Sequence, residues 1–342
     1  MLRPSFIYIS DVSYSFQLVN RGAHEPLKDP DLIDMFKSIT SRRRASKAPV
    51  QATPTPQSAP NHALAVDLRT SGIPPHPQDI SPLFSILPPE IRNRIFHLTL
   101  LEYDDESSPV PFDSYGYRPG HEYRKKHSLD LLATCKRAYL EAYLIPIAAT
   151  THTTWGTWST RAPLNRSLLA YHRFQKMNVE QRAAVETVQL YAQQFALEAL
   201  GWESEIITKD EGTHGVLPRR LIISVRHSDW WEWELDTPLC MDELRYGISW
   251  RESFKSFPSL EEFVMELETL ERRKAEMDII AEGVRKWRID IGNGRVLKTD
   301  GIPLKTCTWN GSTILGGGLP PPEGATSLPY YVVTITWKVQ NV

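Results

Sequence analysis

The stretch that departs furthest from ordinary composition is Asp229-Trp230-Trp231-Glu232-Trp233, with three indoles in four positions. On a strand, Trp231, Trp233 and Leu235 would share one face and leave Trp230 on the other. Indoles carry large contact areas and dominate binding hot spots, so Trp230, Trp231 and Trp233 are candidates for an aromatic platform that meets a partner peptide. The alternative is that they fill a core between sheet and helix, with Asp229 bonding a neighbouring backbone group or Arg226. Other chemistry is thinly represented. Ten histidines are scattered without H-E-x-x-H or a Cys/His pair at ligand spacing, so no metal is expected. Gly316-Gly317-Gly318 runs into Leu-Pro-Pro and not into a lysine that opens a helix, which excludes a phosphate-cradling loop. No G-x-S-x-G elbow occurs. Cys135 falls on an apolar stripe and reads as a packed thiol, not a nucleophile. Acidic runs such as Glu203 to Glu205 and Glu261-Glu262 read as solvated faces. The expectation is a non-enzymatic protein with no catalytic residues and no cofactor.

The elements that would position a contact surface are two amphipathic stretches, Leu87 to Leu101 and Leu129 to Tyr143. Pro88 and Pro89 fit a helix start, because proline lacks the N–H that the first turn would orphan. Glu90 then sets negative charge on the positive end of the helix. Ile91, Ile95 and Leu98 recur at i, i+4, i+7 and predict the stripe that lies on a core, with Arg92, Asn93 and Arg94 outward. Leu87 precedes the start as a hydrophobic staple. In the second stretch Leu132, Cys135, Tyr139 and Tyr143 form the stripe, and Pro146 is expected to end the helix. Two short stripes cannot bury themselves alone, so they pack on each other or on a partner.

The run Leu87-Pro88-x-Glu90-Ile91-x-x-x-Ile95-Phe96 resembles the opening of an F-box, and Leu131 to Ala142, LLATCKRAYLEA, is similar to the helix that follows it in uncharacterised F-box-like proteins of filamentous fungi. The likeness continues through Arg226-x-x-Asp229-Trp230-Trp231-x-Trp233-Glu234, Pro238-Leu239, Phe263 to Glu268 leading into LERRKAEMD, Trp287 with a Gly-Asn-Gly turn, and the terminal Tyr-Tyr-Val-Val-Thr-Ile-Thr-Trp. It covers roughly Ile80 to Val342. The resemblance implies a substrate receptor whose head docks a Skp-family adaptor of a cullin-type ubiquitin ligase, with Leu87, Pro88, Ile91, Ile95 and Phe96 as the adaptor-facing patch. A stand-alone scaffold with the head helices buried on its own body is the rival expectation. The chain departs from the family in lacking a Tyr-x-x-Asn-x-Phe element after Tyr143, and in the insertion between its head helices.

The predicted fold is α+β: a small F-box-like helical head packed on a mixed α/β body with short strands and one long amphipathic helix, preceded by a disordered tail. Residues 1–78 are the tail, because SRRRASKAPVQATPTPQSAPN cannot bury enough surface to offset ordering entropy. Within it, Phe6 to Ile9 and Phe16 to Val19 suggest a weak hairpin or docking segment. Arg42 to Arg44 with Lys47 reads as a solvated charge run, or as a nuclear import signal or phosphate-contacting arm. Residues 79–150 are the head, with an inserted loop over 102–127, and residues 151–342 are the body. Period-two alternation predicts strands at Val188/Leu190, Leu221/Ile223/Val225, Phe263/Met265/Leu267 and Tyr331 to Trp337, with another near His152 to Trp155. A short helix is expected around Val179 to Ala184, a long one over Leu270 to Trp287, and a hairpin around Asn293-Gly294.

A chain of 342 residues with 41% hydrophobic and 23% charged residues is long enough for a substantial core. Its formal net charge of −2 gives no bulk attraction to nucleic acid or anionic lipid. Three cysteines at unrelated positions argue for free thiols in a reducing compartment. No run is long and apolar enough to span a bilayer, and the first residues lack a secretory pattern. A cytoplasmic or nuclear location is expected, with no membrane and no nucleic acid among the partners.

Overall fold

The computed structural model describes residues 64–156, 174, 176–198, 202, 206, 215–235, 237–241, 249–315 and 324–340. Phe6 to Ile9, Phe16 to Val19, Arg42 to Arg44, Glu203 to Glu205, Gly316 to Gly318 and the expected tail up to residue 63 lie outside them. The last part of that expected tail is structured. Helix α1, Leu64–Thr70, buries Ala65, and Arg69 pairs with Glu180 at 2.6 Å. Beyond it Lys136 donates to Ser71 at 3.1 Å and Arg137 donates to the Pro77 carbonyl, so the chain from 64 to 78 is tied to the head.

Helix α2 is Pro82–Ser85 and α3 is Pro89–Leu100, with prolines in the first turn of both. The inner face of α3 is not the expected one. Arg92, Phe96 and Leu100 are buried at i, i+4, i+8, while Ile91, Ile95 and Leu98 face outward. Arg92 tolerates burial because its partners are in place: Glu141 at 3.2 Å, the Leu87 carbonyl at 2.9 Å and the Phe84 ring at 5.6 Å. Phe96, Leu100 and Ala142 form a head core with Leu83, Phe84, Leu131, Leu132 and Ile145 around it.

The expected loop over 102–127 contains a two-stranded antiparallel ribbon, β1 Glu102–Pro109 and β2 Tyr123–His127, with Glu102 opposite His127 and Asp105 opposite Arg124. After it the expected single helix is divided. A 3-10 turn, Asp130–Ala133, precedes α4, Lys136–Ala142, and Cys135 stands extended between them, its sulfur accepting from the Ala138 N–H at 3.4 Å. Pro146 opens a further helix, α5 Ile145–Ala149, instead of ending one, since its missing N–H costs nothing in a first turn. The inner face of α4 is Ala138 and Ala142, followed by buried Tyr143; Leu132, Cys135 and Tyr139 are half-buried.

In the body, β3 Thr151–Gly156, α6 Val179–Ala183, β4 Thr187–Ala192, α7 Gln194–Glu198, β5 Arg220–Val225, β6 Glu262–Leu270, α8 Lys274–Val284, β7 Ile289–Asp290, β8 Val296–Lys298, β9 Lys305–Gly311 and β10 Leu328–Gln340 follow in order. The sheet runs β3-β4-β5-β6-β10-β8-β7, with β9 also paired to β10. The first four strands are parallel, and β10 is antiparallel to β6, β8 and β9. The chain is therefore α+β.

The strand over Phe263, Met265 and Leu267 forms despite Ser259 and Glu262 standing at capping-box spacing, because both faces of β6 are covered. One face of the sheet carries Leu190, Leu221, Ile223, Phe263, Met265, Val333 and Trp337 into the main core, where Met277, Ala281 and Val284 of α8 meet them. Each such side chain contributes roughly 1.5–3 kcal/mol by leaving water. Helix α8 is shorter than expected, since Glu271–Arg273 wind as a 3-10 turn. The β7–β8 hairpin turns through Gly292, Asn293 and Gly294 at φ of 82°, 56° and 71°, the left-handed region where glycine and asparagine are least strained.

Candidate functional site

The opposite face of the parallel strands carries polar and aromatic side chains: Trp155 on β3, Gln189 and Tyr191 on β4, Ser224 and then Arg226 at the end of β5, Glu266 and Glu268 on β6. The segment joining β1 to β2 lies over them. Tyr115 is buried edge-on to Trp155, with ring centroids 5.4 Å apart, and its hydroxyl donates to Asp229. Arg226 is the hub. It pairs with Glu268 at 3.0 Å, donates to the Tyr115 carbonyl, and donates to the Tyr117 carbonyl at 3.2 Å. Arg118 pairs with Glu266 at 2.8 Å and stacks over the Tyr191 ring at 5.0 Å. Glu266 also accepts from the Ser224 hydroxyl at 2.6 Å, and Ser312 donates to Asp113 at 2.6 Å.

These environments fix the charge states. Burial, and then Asp229, push the Tyr115 hydroxyl well above its ordinary pKa, so it stays a neutral donor. Burial alone would lower Arg226, but Glu268 and Tyr115 outweigh it and hold the guanidinium charged. Burial would raise Glu266; Arg118 and the Ser224 hydroxyl outweigh it and keep the group below the usual carboxylate range. Burial and the neighbouring Arg118 lower His121 to about 4, which leaves it neutral near pH 7. Groups held this firmly suit fastening better than proton transfer, which needs a pKa near the working pH.

The tryptophans do not form a shared platform. Beyond β5 the chain turns through a 3-10 segment, His227–Asp229, so no strand presents Trp231 and Trp233 together. Trp230 is buried and donates to the Glu268 carbonyl at 2.8 Å. Half-buried Trp231 donates to Glu198 at 2.7 Å, and Trp233 packs edge-on to His227 with centroids 6.1 Å apart. Asp229 accepts from the Arg226 N–H at 3.1 Å, one of the bonds expected of it.

The five expected contact residues of the head separate. Pro88 is exposed, Ile91 is 48% exposed, Ile95 is 37% exposed and Leu87 is half-buried. Phe96 is fully buried in the head's own core, beside Phe84, and is not available to a partner. Leu98, at 57% exposure, extends the outward strip in its place, and Ile86 is exposed just before the helix. The sequence signal for the buried Arg226 network was the alternation of Ser224 with Arg226 and of Glu266 with Glu268; its cover comes from a segment more than 100 residues away.

Among the described residues no group of three or more His, Cys, Asp or Glu could hold a metal ion, and no helix is long and apolar enough to cross a membrane. Cys135 is half-buried, and Cys240 and Cys307 are exposed. Fold and site together define a two-part α+β protein, a helical head with an outward apolar helix face and a mixed-sheet body clasped by a ribbon inserted in the head. Comparison of the chain with protein-family models, with curated proteins and with solved structures finds no match.

Proposed function

We propose that the protein is a non-enzymatic interaction module: an F-box-like substrate receptor whose head docks a Skp-family adaptor of a cullin-type ubiquitin ligase and whose body takes the target. The observation that carries this reading is the outward strip of α3, where Ile91, Ile95 and Leu98 stand in solvent next to Pro88. Apolar residues at this spacing on an exposed helix face are the anchors of helix-mediated docking. The rival reading, a stand-alone scaffold, requires that strip to be covered by the body, and exposure of Ile95 argues against it. Catalysis would come from proximity: the receptor holds its target beside a ubiquitin-loaded enzyme and contributes no reacting group.

The test is co-purification with a Skp-family adaptor. Wild type retains the adaptor, and Ile95→Asp loses it while keeping the wild-type circular dichroism spectrum. A wild-type chain that retains no adaptor overturns the reading.

A further inference from the structure

Two clefts near the C-terminal end of α8 both have Trp287 in their lining. One, of about 280 Å³, has apolar residues in its lining, Met241, Ile280, Val284 and Trp287, and Gly283 forms part of its wall. Among the described residues, the other, of about 430 Å³, carries Arg285, Lys286, Arg288 and Lys298 against Glu282 and Asp300. Arg285 is already engaged, with Glu282 at 3.9 Å and the Ile302 carbonyl at 3.2 Å. Lys286, Arg288 and Lys298 are different: none of their side chains forms an ion pair or hydrogen bond among the described residues. The indole of Trp287 is held in place. Arg251 lies over it at 4.9 Å, Trp250 meets it edge-on at 5.6 Å, and its backbone carbonyl accepts from Trp337 at 3.1 Å.

We infer that this Trp287-centred groove binds a short peptide that sets an apolar side chain in the smaller cleft and acidic side chains in the larger. Charge complementarity decides the class of occupant. Four cations against two carboxylates among the described lining residues favour an anionic ligand, and the apolar side chains of the smaller cleft favour a peptide over a bare polyanion. The larger cleft falls by itself in the volume range of recognition sites, and the smaller lies just below it. The inference deepens the receptor reading by naming the site and chemistry of the target, and it rests on that reading only for the target's fate, because every residue of the groove is in the body.

The experiment is selection of a displayed short-peptide library on the purified full-length chain, with no adaptor present, followed by affinity measurement at low and high salt. Success here is separable from adaptor capture, which reads α3. The enriched peptides are expected to join a leucine, isoleucine or aromatic residue to two or more Asp or Glu. Lys286→Glu combined with Arg288→Glu should weaken them by about tenfold or more. Gly283→Leu should do the same by filling the apolar cleft: a Cβ at Gly283 meets nothing within 4 Å, and leucine is the better helix former, so the fold survives. The inference is overturned if no peptide is enriched, if the enriched peptides lack acidic residues, if both variants bind as wild type, or if single-stranded DNA binds as tightly as the best peptide.

Discussion

The Tyr115 hydroxyl and the Asp229 carboxylate, 114 residues apart, meet in a hydrogen bond on the polar side of the sheet. Tyr115 belongs to the segment between β1 and β2, which leaves the head after α3 and returns to it before α4. Asp229 closes the turn after β5, where the same carboxylate oxygen accepts from the Arg226 N–H at 3.1 Å. The insertion is thus a strap anchored at both ends in the head, with its middle fixed to the body.

Tyr115→Phe keeps the ring edge-on against the stacked Trp155 and Tyr191 and removes only the donor to Asp229. A buried carboxylate that loses a donor costs about 1–3 kcal/mol. The urea midpoint should fall accordingly, with an unchanged slope. An unaltered midpoint would show that the bond contributes nothing.

Arg226→Met should cost more. It removes the cation facing Glu268, whose side chain is only 6% exposed, together with the donors to the Tyr115 and Tyr117 carbonyls. Leaving one partner of a buried pair unmatched costs about 3–5 kcal/mol. Neutralising both, in Arg226→Met with Glu268→Gln, should recover much of the loss, and denaturant unfolding of the four chains in the cycle measures the coupling. Strict additivity of the two single changes would contradict the pairing.

Acidification should loosen the strap through His121. Its folded pKa, about 4, lies below the ordinary 6.5, so the unfolded chain binds the proton first and stability falls as pH drops from 6.5 towards 4. Burial is the main cause; Arg118, Lys125 and Arg226 lower the group further, and Glu266 opposes them. The full effect is at most about 3 kcal/mol. His121→Gln should flatten the thermal-midpoint profile in that window, and a profile identical to wild type would count against the assignment.

How much of this was readable beforehand follows from what each element shows to a neighbour. Alternation located β4, β5, β6 and β10 because one face of each meets the main core. The β1–β2 ribbon gave no such signal: EYDDESSP and YRKKH have solvent on much of both faces, and pairs such as Lys125 with Asp104 at 2.8 Å hold the register instead. Strand β9 was missed for the same reason, with most of Lys305–Gly311 exposed. On α3 both stripes, Ile91/Ile95/Leu98 and Arg92/Phe96/Leu100, have helical spacing. Periodicity therefore could not decide which faced inward; the choice rests on Phe84 and Glu141, which receive Arg92. The polar face of the sheet was legible as polar, and its burial was not, because the cover is remote in sequence.

Neighbouring residues of α3 give the last and sharpest contrast. Phe96→Ala empties the head core beside Phe84 and Leu100 and should cost about 3–5 kcal/mol, seen as a lowered thermal midpoint and faster amide exchange in α3 and α4. Ile95→Asp, one residue earlier on the outward face, should stay within about 1 kcal/mol of wild type, allowing for the poorer helix propensity of aspartate. Both changes should abolish adaptor capture, the first by loosening the helix and the second by charging its contact face. Equal destabilisation by the two would mean that Ile95 is packed as tightly as Phe96, and the outward strip would then have no room for a partner.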